Sequence, residues 1–177
     1  MTAAAAVAAL LGAVLVFVVW LYNRLVRLRN LSRSSWSDID VLLKKRHDLV
    51  GNLVETVKGY AGYEKSVLQG VTEARARAAR AEGPGQRGKE EAALGEALPG
   101  LFAVAESYPD LKASESYLLL QKQLAELENG LEYARRYYNA VVRDYATAAE
   151  TFPSNLFARA LGFGPLEYFQ LDSPEER

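Results

Sequence analysis

Cysteine is absent from this 177-residue chain, and histidine occurs once, as His47. The first absence removes disulfides, thiolate nucleophiles and cysteine zinc sites together. The second leaves tetrahedral metal centres and serine–histidine relays almost nothing to be built from. Net charge is nearly absent too: 21 basic residues against 22 acidic ones leave −1 at pH 7, so no global field favours nucleic acid. Asp38 and Asp40 stand two apart and diverge by about 200° round a helix, which excludes a shared metal or proton. The expectation is a protein that is not an enzyme, with no catalytic residues, no cofactor and no metal.

Charge is also missing from one end. Everything from Ala3 to Tyr22 is apolar or small, and Arg24 carries the first charged side chain. At ~1.5 Å per residue this run spans ~30 Å as a helix, the hydrocarbon thickness of a bilayer. Arg24, Arg27, Arg29 and Arg33 follow it. Basic residues stay on the cytoplasmic side, so the expectation is a single-pass anchor in the cell (inner) membrane. Its amino terminus would lie outside and its carboxy-terminal domain in the cytoplasm. A cleaved signal peptide would need its basic cluster ahead of the apolar run and a small-residue cleavage site after it. Here the order is reversed, and Trp20, Tyr22 and Asn23 occupy the exit. The four arginines suit anionic headgroups, making the lipid bilayer the first expected partner.

Beyond the anchor the apolar period is helical. Steps of three and four from Trp36 land on Ile39, Leu43, Arg46, Val50, Leu53, Val57, Tyr60, Glu64, Val67, Val71, Ala74, Ala78 and Ala81. This predicts one helix of ~70 Å from Trp36 to Ala81, with coiled-coil-like packing. Gly51, Gly59, Gly62 and Gly70 mark either close approach of a neighbour or tolerated defects on a solvated face. The run EGPGQRG, Glu82 to Gly88, predicts the main loop. A shorter helix follows from Lys89 to about Tyr108, bent at Pro99 and ended by Pro109. YPDLKAS makes a turn, and Ser114 or Ser116 caps the next helix. Tyr117, Leu120, Leu124, Leu127, Leu131, Ala134, Tyr138, Val141, Tyr145 and Ala148 then predict a helix of ~50 Å from Ser116 to Glu150. An amphipathic piece, Asn155 to Leu161, comes before the end.

The expected fold is therefore all-α: an amino-terminal transmembrane helix followed by an antiparallel long-helix bundle. Its parts are an anchor at 1–23, a basic juxtamembrane segment at 24–35, a bundle at 36–172 and a mobile tail at 173–177. Two long helices flanking a short one leave apolar stripe uncovered. Either the terminal segment covers it or a second copy does. A homo-oligomer through Val67, Val71, Ala74 and Ala78, or through Tyr138, Val141 and Tyr145, is the expectation.

Few residues stand out from this frame. Asp40, Lys44 and Asp48 read as an ion-pair ladder on a solvated face around His47. Arg46 and Glu64 interrupt the seam as polar pair candidates. Snorkelling to water is expected for Arg46, while buried pairing is kept open for Glu64. Tyr133, Arg136, Tyr137 and Arg143 form a candidate protein interface, because Tyr and Arg are favoured at hot spots.

The run RNLSRSSWSDIDVLLKKRHDLVGNLVETVKGYAGYE, Arg29 to Glu64, resembles the signature of the LemA family of bacterial membrane proteins. Further matches are YPDLKAS at 108–114, EN at 128–129, YN at 138–139 and FP at 152–153. Gly51 stands where the family usually has proline, Tyr63 where histidine is common, and Ala146 where a second YN would place asparagine. The resemblance implies a single-pass protein with its amino terminus outside, a cytoplasmic helical domain and no known catalytic residues. The functional expectation is a membrane-anchored scaffold or adaptor binding protein partners, other membrane proteins or itself at the cytoplasmic face. The alternative is a membrane-surface-active protein in which Arg24 to Arg33 and the amphipathic segment Asn155 to Leu161 bind anionic lipid and shape the bilayer.

Overall fold

The computed structural model describes residues 3–170, and among these there is helix and no strand. The tail expected to be mobile at 173–177 lies outside the described residues. Six helices follow in order: α1 Ala3–Tyr60, α2 Lys65–Arg80, α3 Pro84–Glu106, α4 Pro109–Lys112, α5 Glu115–Glu150 and α6 Ser154–Ala158.

The all-α expectation holds, but several boundaries move. Between Gly12 and Gly51 there is neither glycine nor proline. The helix therefore runs through the segment expected to be a separate juxtamembrane stretch, and α1 is 58 residues long. The predicted helix from Trp36 to Ala81 is instead broken at 61–64, where Gly62 and Tyr63 form a turn. Tyr60 and Glu64, consecutive seam positions, are both exposed there. The seam kept its phase across a turn, and phase alone could not reveal it.

The loop expected at 82–88 shrinks to 81–83. Gly83 takes a positive φ of 75°, which glycine adopts without steric cost. Pro84 opens α3 in the first turn, where the missing N–H has no intrahelical partner to lose. Gly88 then lies inside the helix for a packing reason: a Cβ there would stand 2.1 Å from the main-chain oxygen of Gln170. At the other expected junction Ser114 directly precedes α5, and its carbonyl accepts from the Leu118 N–H at 3.0 Å.

The chain divides into two compact units. One comprises residues up to Ser35 with Tyr137–Leu166. Its core holds Leu21 and Leu25 of α1, Tyr145 and Ala148 of α5, Ala158 of α6 and Phe163 beyond it. Phe17, Phe157 and Leu166 pack around these, and the Tyr145 hydroxyl donates to the Gly164 carbonyl at 2.8 Å. The end of the apolar run is therefore part of a core packed within the chain.

The other unit comprises Trp36–Arg136 with the chain from Glu167. Its core joins Val50, Leu53 and Val57 of α1 to Val71 and Ala74 of α2, Leu94, Leu98 and Leu101 of α3, Leu111 of α4, and Tyr117 and Leu124 of α5. Phe169 closes this unit against Trp36, ring centroids 5.7 Å apart. Fully burying a Leu or Val contributes roughly 1.5–3 kcal/mol. In the first unit the segment after α5 thus covers part of the stripe of α5, and in the second the stripe of α2 packs in one core with α1 and α3. Val71, Ala74 and Ala78 in this unit, and Tyr138, Val141 and Tyr145 in the first, are all buried. Those residues of the stretches named for self-association pack within the chain, while Val67 is half-buried.

Candidate functional site

Three neighbouring polar residues of the second unit are buried: Arg46 and His47 on α1, and Glu91 on α3. Arg46 Nη1 donates to Glu91 Oε2 and to the Glu91 carbonyl, and Arg46 Nε donates to Glu128 Oε1 on α5 at 2.6 Å. His47 Nε2 lies 2.6 Å from Glu91 Oε1. Both carboxylate oxygens of Glu91 are therefore engaged by α1. Buried charges persist when paired in this manner, and one arginine here ties three helices to a single register.

The expectation that Arg46 snorkels to water is corrected: only 6% of its surface is exposed. Its partners are Glu91 and Glu128, and Glu64 is an exposed residue in the break after α1. His47 likewise leaves the solvated ladder for the core. Asp40 does bond Lys44 at 3.0 Å, but it also pairs with Arg87 of α3. The hydrogen bond from Lys44, joined by Arg87, outweighs desolvation and holds the Asp40 carboxyl below the usual carboxylate range. Glu91 was missed although a signal existed. It continues the α3 series Leu94, Leu98, Leu101 and Ala105 backwards by three residues, an acid on the buried face to match Arg46 and His47.

A cavity of about 470 Å³ adjoins this cluster, with Leu43, Glu96, Glu128, Arg135 and Phe169 among its walls. On another face, Leu42 and Leu49 of α1 and Leu127 and Gly130 of α5 line an open groove of about 480 Å³. Nothing lies within 4 Å of a Cβ placed on Gly130. Tyr133, one turn further along α5, is 75% exposed. Among the described residues, no three His, Asp or Glu side chains converge to hold a metal ion.

The interface candidates separate. Tyr133 and Arg136 belong to the second unit and Tyr137 and Arg143 to the first, and all four are exposed. Arg136 is partly occupied by an ion pair with Glu132 one turn away. Of the four arginines assigned to the membrane surface, Arg27 and Arg33 are exposed, and Arg24 lies 5.3 Å over the ring of Trp20. Arg29 is half-buried: its guanidinium sits 5.0 Å over the Phe163 ring, and its Nε is buried without a hydrogen-bond partner. That side chain packs against protein.

This is an all-helical protein with one apolar helix of membrane-crossing length among the described residues. Residues 35–177 match the LemA family, and the chain belongs to that family. It is similar to magnetosome protein MamQ 2 of Paramagnetospirillum magneticum, 26% identical over 175 residues covering 84% of this chain and 64% of the relative. MamQ of Magnetospirillum gryphiswaldense is 25% identical with the same coverage. Protein LemA of Metamycoplasma hominis is 26% identical over 157 residues, covering 86% of this chain and 70% of the relative. The chain thus spans just under two thirds of the length of the MamQ relatives. Family, relatives and apolar helix together fit a membrane-associated helical protein.

Proposed function

We propose that the protein is a membrane-anchored scaffold, held by its apolar amino-terminal helix in the cell (inner) membrane with its helical domain on the cytoplasmic side. It docks a helix of a protein partner, or of a second copy, in the groove between α1 and α5. The carrying observation is that groove: leucines on both walls, open space above Gly130 and an exposed Tyr133 one helical turn beyond Gly130. Amphipathic helices dock by laying an apolar face into such grooves, and Tyr is a favoured anchor. A photo-crosslinking side chain at Tyr133 in native membranes tests this. The expected result is an adduct of discrete mass, twice that of the chain if the occupant is a second copy. Gly130→Leu, which fills the groove without touching the Arg46 cluster, should abolish the adduct. An adduct unchanged by Gly130→Leu, or none at all, counts against the reading.

Exposed Arg27 and Arg33, with Arg24 just beyond the apolar run, favour the second reading of a membrane-surface-active protein that binds anionic lipid and shapes the bilayer. Charge reversal at Arg27 and Arg33 should then weaken association of the full chain with anionic lipid and leave the crosslink at Tyr133 intact.

A further inference from the structure

The loop and short helix after α5 expose apolar side chains that a protein in water has little reason to present. Phe152 is 80% exposed and Leu156 62%. In the same unit, Phe157 meets Phe17 of α1 edge-on, with ring centroids 6.1 Å apart, and Ala158 is buried in the core. Further along, Phe163 meets Tyr22 at 5.6 Å. The segment therefore climbs along α1 from the level of Phe17 to that of Tyr22.

Phe17 precedes Tyr22 by five residues, or ~7.5 Å of helix. Val16 and Trp20, on either side of Phe17, are exposed at 70% and 52%. If lipid covers the apolar run, it covers these side chains, and so reaches the level at which Phe157 is held. Interfacial helices bury an apolar face ~5–10 Å into the boundary between headgroups and acyl chains, matching that depth. We infer that Phe152–Leu161 is an insertion element that enters one leaflet beside the anchor, with Phe152 and Leu156 among the acyl chains. The occupant of this apolar face is the bilayer in which the anchor stands, because Phe157 of the same segment packs on Phe17 of the apolar run, beside the exposed Val16 and Trp20. The inference rests on the membrane-anchor reading.

A chain without cysteine permits the test directly. Single environment-sensitive fluorophores are attached at Phe152→Cys, Leu156→Cys, Val14→Cys and Tyr133→Cys in the full chain. Each variant is reconstituted in phosphatidylcholine–phosphatidylglycerol vesicles, with either doxyl-labelled lipid or aqueous iodide as quencher. Labels at 152 and 156 should lose emission to doxyl groups near the headgroup end of the acyl chain and resist iodide, whereas the label at 133 should do the reverse. If 152 and 156 respond to iodide as 133 does, while 14 is quenched by lipid, the anchor stands and the insertion element is overturned. If 152 and 156 resist both quenchers, another protein surface covers them, and the inference is likewise overturned. If 14 itself responds to iodide, anchor and insertion element fall together.

Discussion

Arg46, His47 and Glu91 occupy positions where a helical bundle would ordinarily hold aliphatic side chains. Removing one member of a buried ion pair strands the other and costs ~3–5 kcal/mol, whereas replacing both by apolar groups is often neutral. Arg46→Met should therefore lower stability by ~3 kcal/mol or more, read from the midpoint of urea unfolding. Arg46→Met combined with Glu91→Met should recover most of that loss, even though it removes more bonds. Strictly additive losses would mean that the two residues do not act as a pair. A second residue, Asp40, sets a pH dependence. Its carboxyl is held below the ordinary range in the folded protein by Lys44 and Arg87, so the unfolded chain takes up the proton first. The stabilisation is present at neutral pH and is lost as pH falls through the folded value. Asp40→Asn should cost ~1 kcal/mol at neutral pH and progressively less in acid. A difference that grows on acidification would refute this assignment.

At the scale of elements, sequence period was a good guide to where helix lies and a poor one to where it stops. The helix expected from Ser116 to Glu150 is α5, within a residue, because its stripe is unbroken and Pro153 follows closely. The break after Tyr60 was hidden because a turn there preserved the phase of the seam. Reading EGPGQRG as loop failed for a different reason: its glycines answer to a tertiary neighbour. Gly88 admits the main chain of Gln170, and Gly51 admits the guanidinium of Arg75, whose carbon would lie 3.0 Å from a Cβ there. Gly70, by contrast, has nothing within 4 Å. Of the cluster, Arg46 was visible as an irregularity, but its partners on α3 and α5 were not, since pairing between helices depends on which faces meet. Two substitutions with opposite signs follow. Gly88→Ala should destabilise by ~1–3 kcal/mol, because the added methyl meets backbone that has to move. Gly70→Ala should stabilise by ~1 kcal/mol through helix propensity alone. Thermal melts of the two variants shifting in the same direction would contradict these roles.

For the molecule as a whole, the apolar run and the packed core share residues. The apolar run suggests a cut after Tyr22, leaving a highly helical soluble protein. The core of the first unit argues for an earlier boundary, because Leu21 is fully buried there and Phe17 packs beside it. Deleting residues 1–22 removes both side chains from Tyr145, Ala148 and Phe163, whereas deleting 1–16 keeps them. Loss of one buried leucine costs ~2–5 kcal/mol, and loss of a phenylalanine a similar amount. Among the described residues, the core cluster of the second unit begins at Val50, so that cluster is retained in either truncation. Hydrogen exchange on the two shortened chains in the same mild detergent should therefore split by region. Amides of 141–148 should lose protection in the longer deletion and keep it in the shorter one. Amides of 94–105 should be protected alike in both. Equal protection of 141–148 in the two chains would show that Phe17 and Leu21 add nothing to the core, and would return the boundary to the end of the apolar run.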